Sequence, residues 1–378
     1  MKKSLYLTSA LVAAGVLALG STSSMAAGKK MKVGISGSYE ALVGYAKQSD
    51  GYTKAAGGGS NLASYNTIDV KTDSEIHISG STKTDSGLAI GLKIELEGDQ
   101  ASGGVVDASY ITVSGGFGEV SLGANAAAAA ILAVQPPGTG ALGATGPDAS
   151  AWIVMPAGIA TGAGAGIGVG GGDGNKIRWK SKAFSGFTIG ASYQPDTANS
   201  NAIGTNGGNT AVGEQIDGGI QYSGTVGKNA VKAGITYWTN DAGVNSKDGY
   251  QIGASVTMGS ITIGAGMDEH RSQGNVAAGT PVSGTGTSLD ADGVIVGAQW
   301  AQGATTLSLN YFTKSMDLAT ATTGSDSTER WTLGAKYAMG PGVDFVGTVQ
   351  NTKWSDESAV ATLNNKGTVI VGGISVGF

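Results

Sequence analysis

Four bases stand at alternate positions in Lys176-Ile177-Arg178-Trp179-Lys180-Ser181-Lys182, and Asp69, Lys71, Asp73, Glu75 and His77 repeat the same spacing upstream. Residues two apart share one face of an extended strand. Each set therefore makes a charged face, opposite Trp179 in the first case and Ile76 and Ile78 in the second. Such rows set an ion preference when they line a water-filled passage. Covalent chemistry has far less material. There is no cysteine, so no disulfide, thiolate metal site or thiol nucleophile, and only His77 and His270 are available to a zinc cluster or a Ser-His pair. Gly166-Ile167-Gly168-Val169-Gly170-Gly171 spells a dinucleotide fingerprint but neither follows a strand nor opens a helix. Asp290 with Asp292, or Asp196, Glu214 and Asp217, could bind calcium at a loop, without the spacing of an EF-hand. No other cofactor is implied.

The elements that must position these rows are strands. Period-two alternation between turn signals predicts segments near 32–46, 66–84, 87–97, 107–114, 118–123, 175–182, 187–194, 214–223, 229–238, 248–258, 260–270, 291–300, 304–314, 327–339, 343–354 and 366–378. Their connections alternate long and short: 47–65 is long and Asp85-Ser86 short, 124–174 very long and Ala183-Phe184-Ser185-Gly186 short, and the rule persists to the end. An up-and-down antiparallel barrel with tight turns at one rim requires that alternation. A sandwich would not sort its linkers this way. No apolar run after the N-terminal stretch is long enough to cross a bilayer as a helix, so a chain that crosses must close into a barrel. The fold class predicted is all-β, a sixteen-stranded antiparallel transmembrane barrel.

Both ends fit that reading. Lys2 and Lys3, the apolar Leu5 to Leu19 and Ser24-Met25-Ala26 make an export signal cleaved after Ala26, leaving 27–378 as one barrel domain. Removing two of the 23 basic residues leaves 21 against 28 acidic, which argues against nucleic acid as a partner. At the other end Ile370, Ile374, Val376 and Phe378 share a parity facing lipid, blurred only by Val369 and Val371. Tyr39, Tyr45, Trp179, Tyr237, Trp300, Trp331 and Tyr337 are among the candidates for interface girdles, with Trp238, Phe312 and Trp354 as scattered exceptions.

Three pieces carry a family resemblance: Gly116-Phe117-Gly118-Glu119-Val120-Ser121-Leu122-Gly123, then Ile177-Arg178-Trp179-Lys180-Ser181-Lys182-Ala183-Phe184-Ser185-Gly186-Phe187 with Gly190-Ala191-Ser192-Tyr193, and the terminal Gly373-Ile374-Ser375-Val376-Gly377-Phe378. In order and spacing the chain resembles the general porins of Gram-negative bacteria, especially the alphaproteobacterial type. The resemblance implies an outer-membrane homotrimer of sixteen-stranded barrels, each passing small hydrophilic solutes and ions without chemistry. It also implies a third external loop, here 124–174, folded inward as a constriction, and Phe378 as a terminal assembly signal.

The loop departs from the family pattern of clustered acids, since Asp148 and Asp173 are its only charges. It opens with Asn125 and an alanine run that favours helix, broken by Pro136-Pro137. The pore-lining set expected is Lys176, Arg178, Lys180, Asp148, Asp73 and Glu75. With so neutral a loop, Lys176 and Arg178 would give a weak anion preference unless Asp69, Asp73 and Glu75 cancel them. A substrate-specific channel would need a row of aromatics along the lumen, which the sequence lacks. An adhesin or structural barrel acting through its loops would lack single-channel conductance.

Overall fold

The computed structural model describes residues 31–49, 65–98, 105–145, 150–156, 159, 167–168, 172–196, 213–241, 246–272, 288–318, 324–357 and 363–378. The predicted export signal, 1–26, lies outside the described residues, as does Asp148. Sixteen strands run β1 (Lys32–Gln48), β2 (Ile68–Lys83), β3 (Ala89–Glu97), β4 (Val106–Gly115), β5 (Gly118–Ala124), β6 (Asn175–Lys180), β7 (Phe187–Gln194) and β8 (Glu214–Val226). They continue as β9 (Asn229–Asp241), β10 (Lys247–Met258), β11 (Ile261–Ser272), β12 (Ser288–Gln302), β13 (Thr305–Leu318), β14 (Ser325–Gly340), β15 (Val343–Ser355) and β16 (Asn365–Gly377). Every predicted strand is present. Several on the second half extend further toward the long-loop rim than the alternation suggested, for instance β12 and β13, because pairing continues past the last clearly alternating residue.

Each strand pairs antiparallel with its sequence neighbours, and β1 pairs with β16 to close the barrel. At the seam Tyr39 stands opposite Val376, and the backbones of Gly37 and Phe378 exchange hydrogen bonds of 2.9 and 3.1 Å. A closed ladder leaves no strand edge for hydrocarbon to contact, the condition for β structure in a bilayer. The tight turns sit at one rim. Gly259 and Gly303 hold φ of 61° and 59° in two-residue turns, a conformation that glycine adopts without steric cost.

One face of the wall is aliphatic and open. Ile35, Val43, Tyr45, Leu309, Trp331, Leu333 and Ile370 are all exposed, and the residues between them are buried or polar. The girdle candidates Tyr39, Tyr45, Tyr237, Trp331 and Tyr337 lie on this outward parity. Val369 and Val371, which break the alternation of β16, are fully buried on the other side. There they join Leu42, Ala46, Trp354 and residues of the long loop, Leu142, Trp152, Ile153 and Ile159, in one apolar cluster. Phe312 likewise packs with Ile295 and the loop's Ile167. These departures from simple patterning are therefore not scattered: they mark the inner wall beneath the loop.

Candidate pore lining

The long connection after β5 is bound to the inner wall along much of its described length. Asn125 roots it, donating to Gly123 O at 2.7 Å and accepting from Ser121 Oγ at 3.1 Å. The alanine run forms one short helix, α1 (Ala128–Leu132). Its first amides find partners on the wall: Ala128 N donates to Ser192 Oγ at 2.6 Å and Ala129 N to Asp217 Oδ1 at 2.9 Å. Those are two of the amides a helix cannot satisfy within itself. Asp217, a calcium candidate from the sequence, is thus a buried helix anchor instead.

Beyond Ala133 the chain is extended and laid as a strap across successive strands. Gln221 of β8 donates to Leu132 O (3.1 Å), Gln251 of β10 to Val134 O (3.1 Å), Asn310 of β13 to Pro137 O (2.9 Å) and Gln350 of β15 to Gly143 O (3.0 Å). The strap's own amides donate to wall hydroxyls, Thr139 N to Ser308 Oγ and Ala141 N to Thr348 Oγ1. Further on, Val154 N donates to Gln48 of β1 and Val154 O accepts from Asn365 of β16. Each of these wall residues has the parity opposite an exposed neighbour, such as Gln251 beside Ile252 or Gln350 beside Val349. A strap without a β partner must satisfy its polar main chain by side chains, and neutral amides and hydroxyls do so here. Sequence reasoning missed them, although Gln, Asn, Ser and Thr on the inward parity of glycine-rich strands were a usable signal.

Where the strap runs, the wall is glycine. A Cβ on Gly234 would stand 2.7 Å from Leu132 O, one on Gly264 2.9 Å from Pro136 Cα, and ones on Gly253 and Gly334 would collide with the carbonyl oxygens of Val134 and Thr139. Gly44 and Gly367 make room in the same way for Trp152 and Ile153. Much of the glycine inside the strands is therefore a seat that lets a second chain lie flush on the wall.

The expected site residues separate into two groups. Lys176 and Arg178 have the inward parity predicted for them, but their exposure to the pore needs correction: both are buried at the root of the loop. Lys176 Nζ donates to Asn125 O at 2.6 Å and also to Gly172 O, and Arg178 Nη1 donates to Ala126 O at 2.7 Å. They clamp the two ends of the loop together. Glu119, 3.7 Å from both Arg178 and Lys180, adds a weak counter-charge, and Lys180 is more open. Asp73 and Glu75 face inward on β2, Asp73 exposed and Glu75 half-exposed, with His77 Nε2 2.8 Å from Glu75 Oε2. In the loop, Asp173 is half-buried. Burial pushes its carboxyl up, with Asp107 adding to the effect and Lys176 opposing it.

A second tether was not foreseen. Asp268 of β11 and Lys314 of β13 are both fully buried and 2.8 Å apart, and Gly168 N donates to the same carboxylate oxygen at 2.7 Å. Arg330 of β14, also fully buried, lies over the rings of Phe312 and Trp354. Below the strap, toward the tight turns, a cavity of about 370 Å³ is lined by Gln221, Ser223, Lys232, Ser255, Thr257 and Thr262. Of the calcium candidates, Glu214 accepts from Tyr193 and Asp292 from Ser315. Asp326, Asp356 and Glu357 bring carboxylate oxygens within 4.8 Å of one another at the loop rim.

A closed antiparallel barrel, apolar outside and polar within, is a transmembrane β-barrel of the channel-forming kind. A model of the Gram-negative porin family matches residues 10–357, and the chain belongs to that family, whose members sit in the outer membrane as diffusion channels. Among solved structures, a porin refined at 1.8 Å is 17% identical with a TM-score of 0.61, over 92% of this chain and 100% of that one. An anion-selective porin from Comamonas acidovorans is 18% identical, also at 0.61 and over 92% and 100%. The trimer form of OmpT, an outer membrane protein of Vibrio cholerae, is 14% identical at 0.59, over 93% and 100%. No curated protein matches the sequence.

Proposed function

We propose that the protein is a general diffusion porin working as a homotrimer, processed after Ala26, with the loop 124–174 inside the barrel narrowing its passage. The observation that carries this is the strap: its main chain is hydrogen-bonded to inward side chains from β8 to β16 and β1, which supports a loop laid along a polar inner wall. Small hydrophilic solutes would cross down their gradients through what the strap leaves open, sorted by bore and wall charge. Trimerisation is supported by the trimer form of the Vibrio cholerae relative. Catalysis has no role in the reading, which rests on passive passage alone.

The test is a planar-bilayer recording of the purified protein in potassium chloride, paired with mass spectrometry of its N-terminus. Stepwise conductance in groups of three and a mature terminus at Ala27 are expected. Inserted protein that never conducts would favour the adhesin or structural reading, and single steps with a monomer on crosslinking would remove the trimer.

A further inference from the structure

The glycine seats also fix what lies just below the strap. Cβ atoms on Gly234, Gly253 and Gly264 would meet Leu132, Val134 and Pro136, so these positions face inward. Residues two further toward the tight turns face the same way: Lys232 on β9, Ser255 on β10 and Thr262 on β11. On β8 the same step leads from Gln221, whose amide reaches Leu132 O, to Ser223. Register aligns them. Lys232 stands directly opposite Ser223 on one side and Ser255 on the other, and Thr257 opposite Thr262, their hydroxyls 2.9 Å apart. With Gln221 they bound the cavity of about 370 Å³, which the strap covers with Val134 and Pro137.

No acid lines this cavity. Lys232 is exposed and, among the described residues, makes no ion pair. Lys180 and Lys336, also on the half of the wall nearer the tight turns, have carboxylates at 3.7 and 3.5 Å. A lone ammonium between two serines is a donor set for a carboxylate: the lysine offers N–H groups and each serine an O–H. One cation offsets one anionic charge, whereas a phosphate carries up to about two. Thr257, Thr262 and Gln221 add hydroxyl and amide groups that can both give and take hydrogen bonds, as the hydroxyls of a polyol require. Val134 and Pro137 add an apolar face for its carbon chain. The volume lies within the about 300–1,000 Å³ of small-molecule sites.

We propose that the cavity under the strap is a solute subsite for small polyhydroxylated carboxylates, sugar acids in chemical class, with Lys232 holding the carboxylate between Ser223 and Ser255. This rests on the diffusion-channel reading and adds the class of solute that the passage favours. Because Lys232 is open to water, its attraction for a carboxylate is screened and the solute is held briefly. A channel gains from such a site, which binds well enough to draw a solute in and weakly enough to let it leave.

Planar-bilayer recordings in potassium chloride with added potassium gluconate test the proposal, with glucose and inorganic phosphate as comparison probes. Gluconate should interrupt the wild-type current saturably, half-maximally in the millimolar range, and glucose and phosphate at equal concentration should interrupt it less. Lys232→Gln should raise the half-blocking concentration about tenfold, the loss of one charge-assisted hydrogen bond. Should that variant fail to assemble, Ser223→Ala/Ser255→Ala must still raise it severalfold. Lys336→Gln, which removes a base that Asp344 already faces at 3.5 Å, should leave it unchanged. A current that gluconate does not interrupt, equal block by glucose, tighter block by phosphate, or wild-type block in Lys232→Gln each overturns the proposal while the channel still conducts. So does an equal loss in Lys336→Gln, which would assign the block to general wall charge. Protein that inserts without conducting potassium chloride refutes the channel reading, and the subsite with it.

Discussion

Gly334 of β14 lies directly beneath Thr139 of the strap, so close that a Cβ at 334 would collide with the Thr139 carbonyl oxygen. Wall and loop meet here backbone to backbone, with Thr139 N held by Ser308 Oγ at 3.0 Å on the neighbouring strand.

Gly334→Val should therefore lift the strap without touching the lipid face. Overpacking of a fitted contact costs about 1–3 kcal/mol, which a large closed barrel tolerates, so barrels are expected to assemble. Their single-channel conductance should fall, because a strap lifted from its seat can move only toward the passage. Wild-type conductance from assembled Gly334→Val protein would mean that the seat does not set the bore.

The Asp268–Lys314 pair predicts an asymmetric double-mutant cycle. Lys314→Met alone takes the ammonium from a fully buried carboxylate that keeps only Gly168 N and His270 Nε2, 2.8 Å from the same oxygen, and should cost up to about 3 kcal/mol, the lower end for a broken buried pair, read as a lower temperature for loss of heat-modifiable gel mobility. Adding Asp268→Asn removes the stranded charge and should recover much of that loss. Equal stability of the two variants would contradict burial of the pair.

The clamp at the loop root predicts protease sensitivity. Lys176→Met removes donors to Asn125 O and Gly172 O, and Arg178→Met a donor to Ala126 O. Charge-assisted hydrogen bonds contribute about 1.5–3 kcal/mol each, so limited proteolysis within 124–174 should accelerate in both variants. A cleavage rate equal to the wild type would show that the loop is held elsewhere.

Asp173 carries the opposite sign. Burial raises its folded-state pKa, so the folded protein holds this proton at a higher pH than the unfolded chain. Its contribution to stability is therefore present at low pH and lost as pH rises through the carboxylate range. Asp173→Asn should leave the loop root at neutral pH as protease-resistant as wild type, or more so. Greater sensitivity would show that the ionised form is needed.

Phe378 closes the seam, exchanging two backbone hydrogen bonds with Gly37 while its ring remains exposed on the outward face. Its deletion removes bonds contributing about 1 kcal/mol each at the β1–β16 seam that closes the barrel. Fewer trimers in the membrane are expected, while those channels that do insert conduct as wild type. Unchanged trimer yield at native expression would remove the assembly role.

The barrel was legible from local chemistry. Alternation in segments such as Ile90-Gly91-Leu92-Lys93-Ile94-Glu95-Leu96 and the regular order of long and short connections are one-dimensional consequences of a wall with lipid on one side and water on the other. They specified sixteen strands and their outward residues, and the parity of Lys176, Arg178, Asp73 and Glu75. What lies against that wall was not legible, because parity says which way a side chain points and not what covers it. Lys176 and Asp73 read alike in sequence. Only the tertiary path of the loop, whose root brings Asn125 O and Gly172 O onto the ammonium, buries Lys176, while Asp73 stays exposed. The contacts responsible join residues such as Ala141 and Thr348, or Val154 and Asn365, far apart along the chain, and no local pattern records a pairing at that distance.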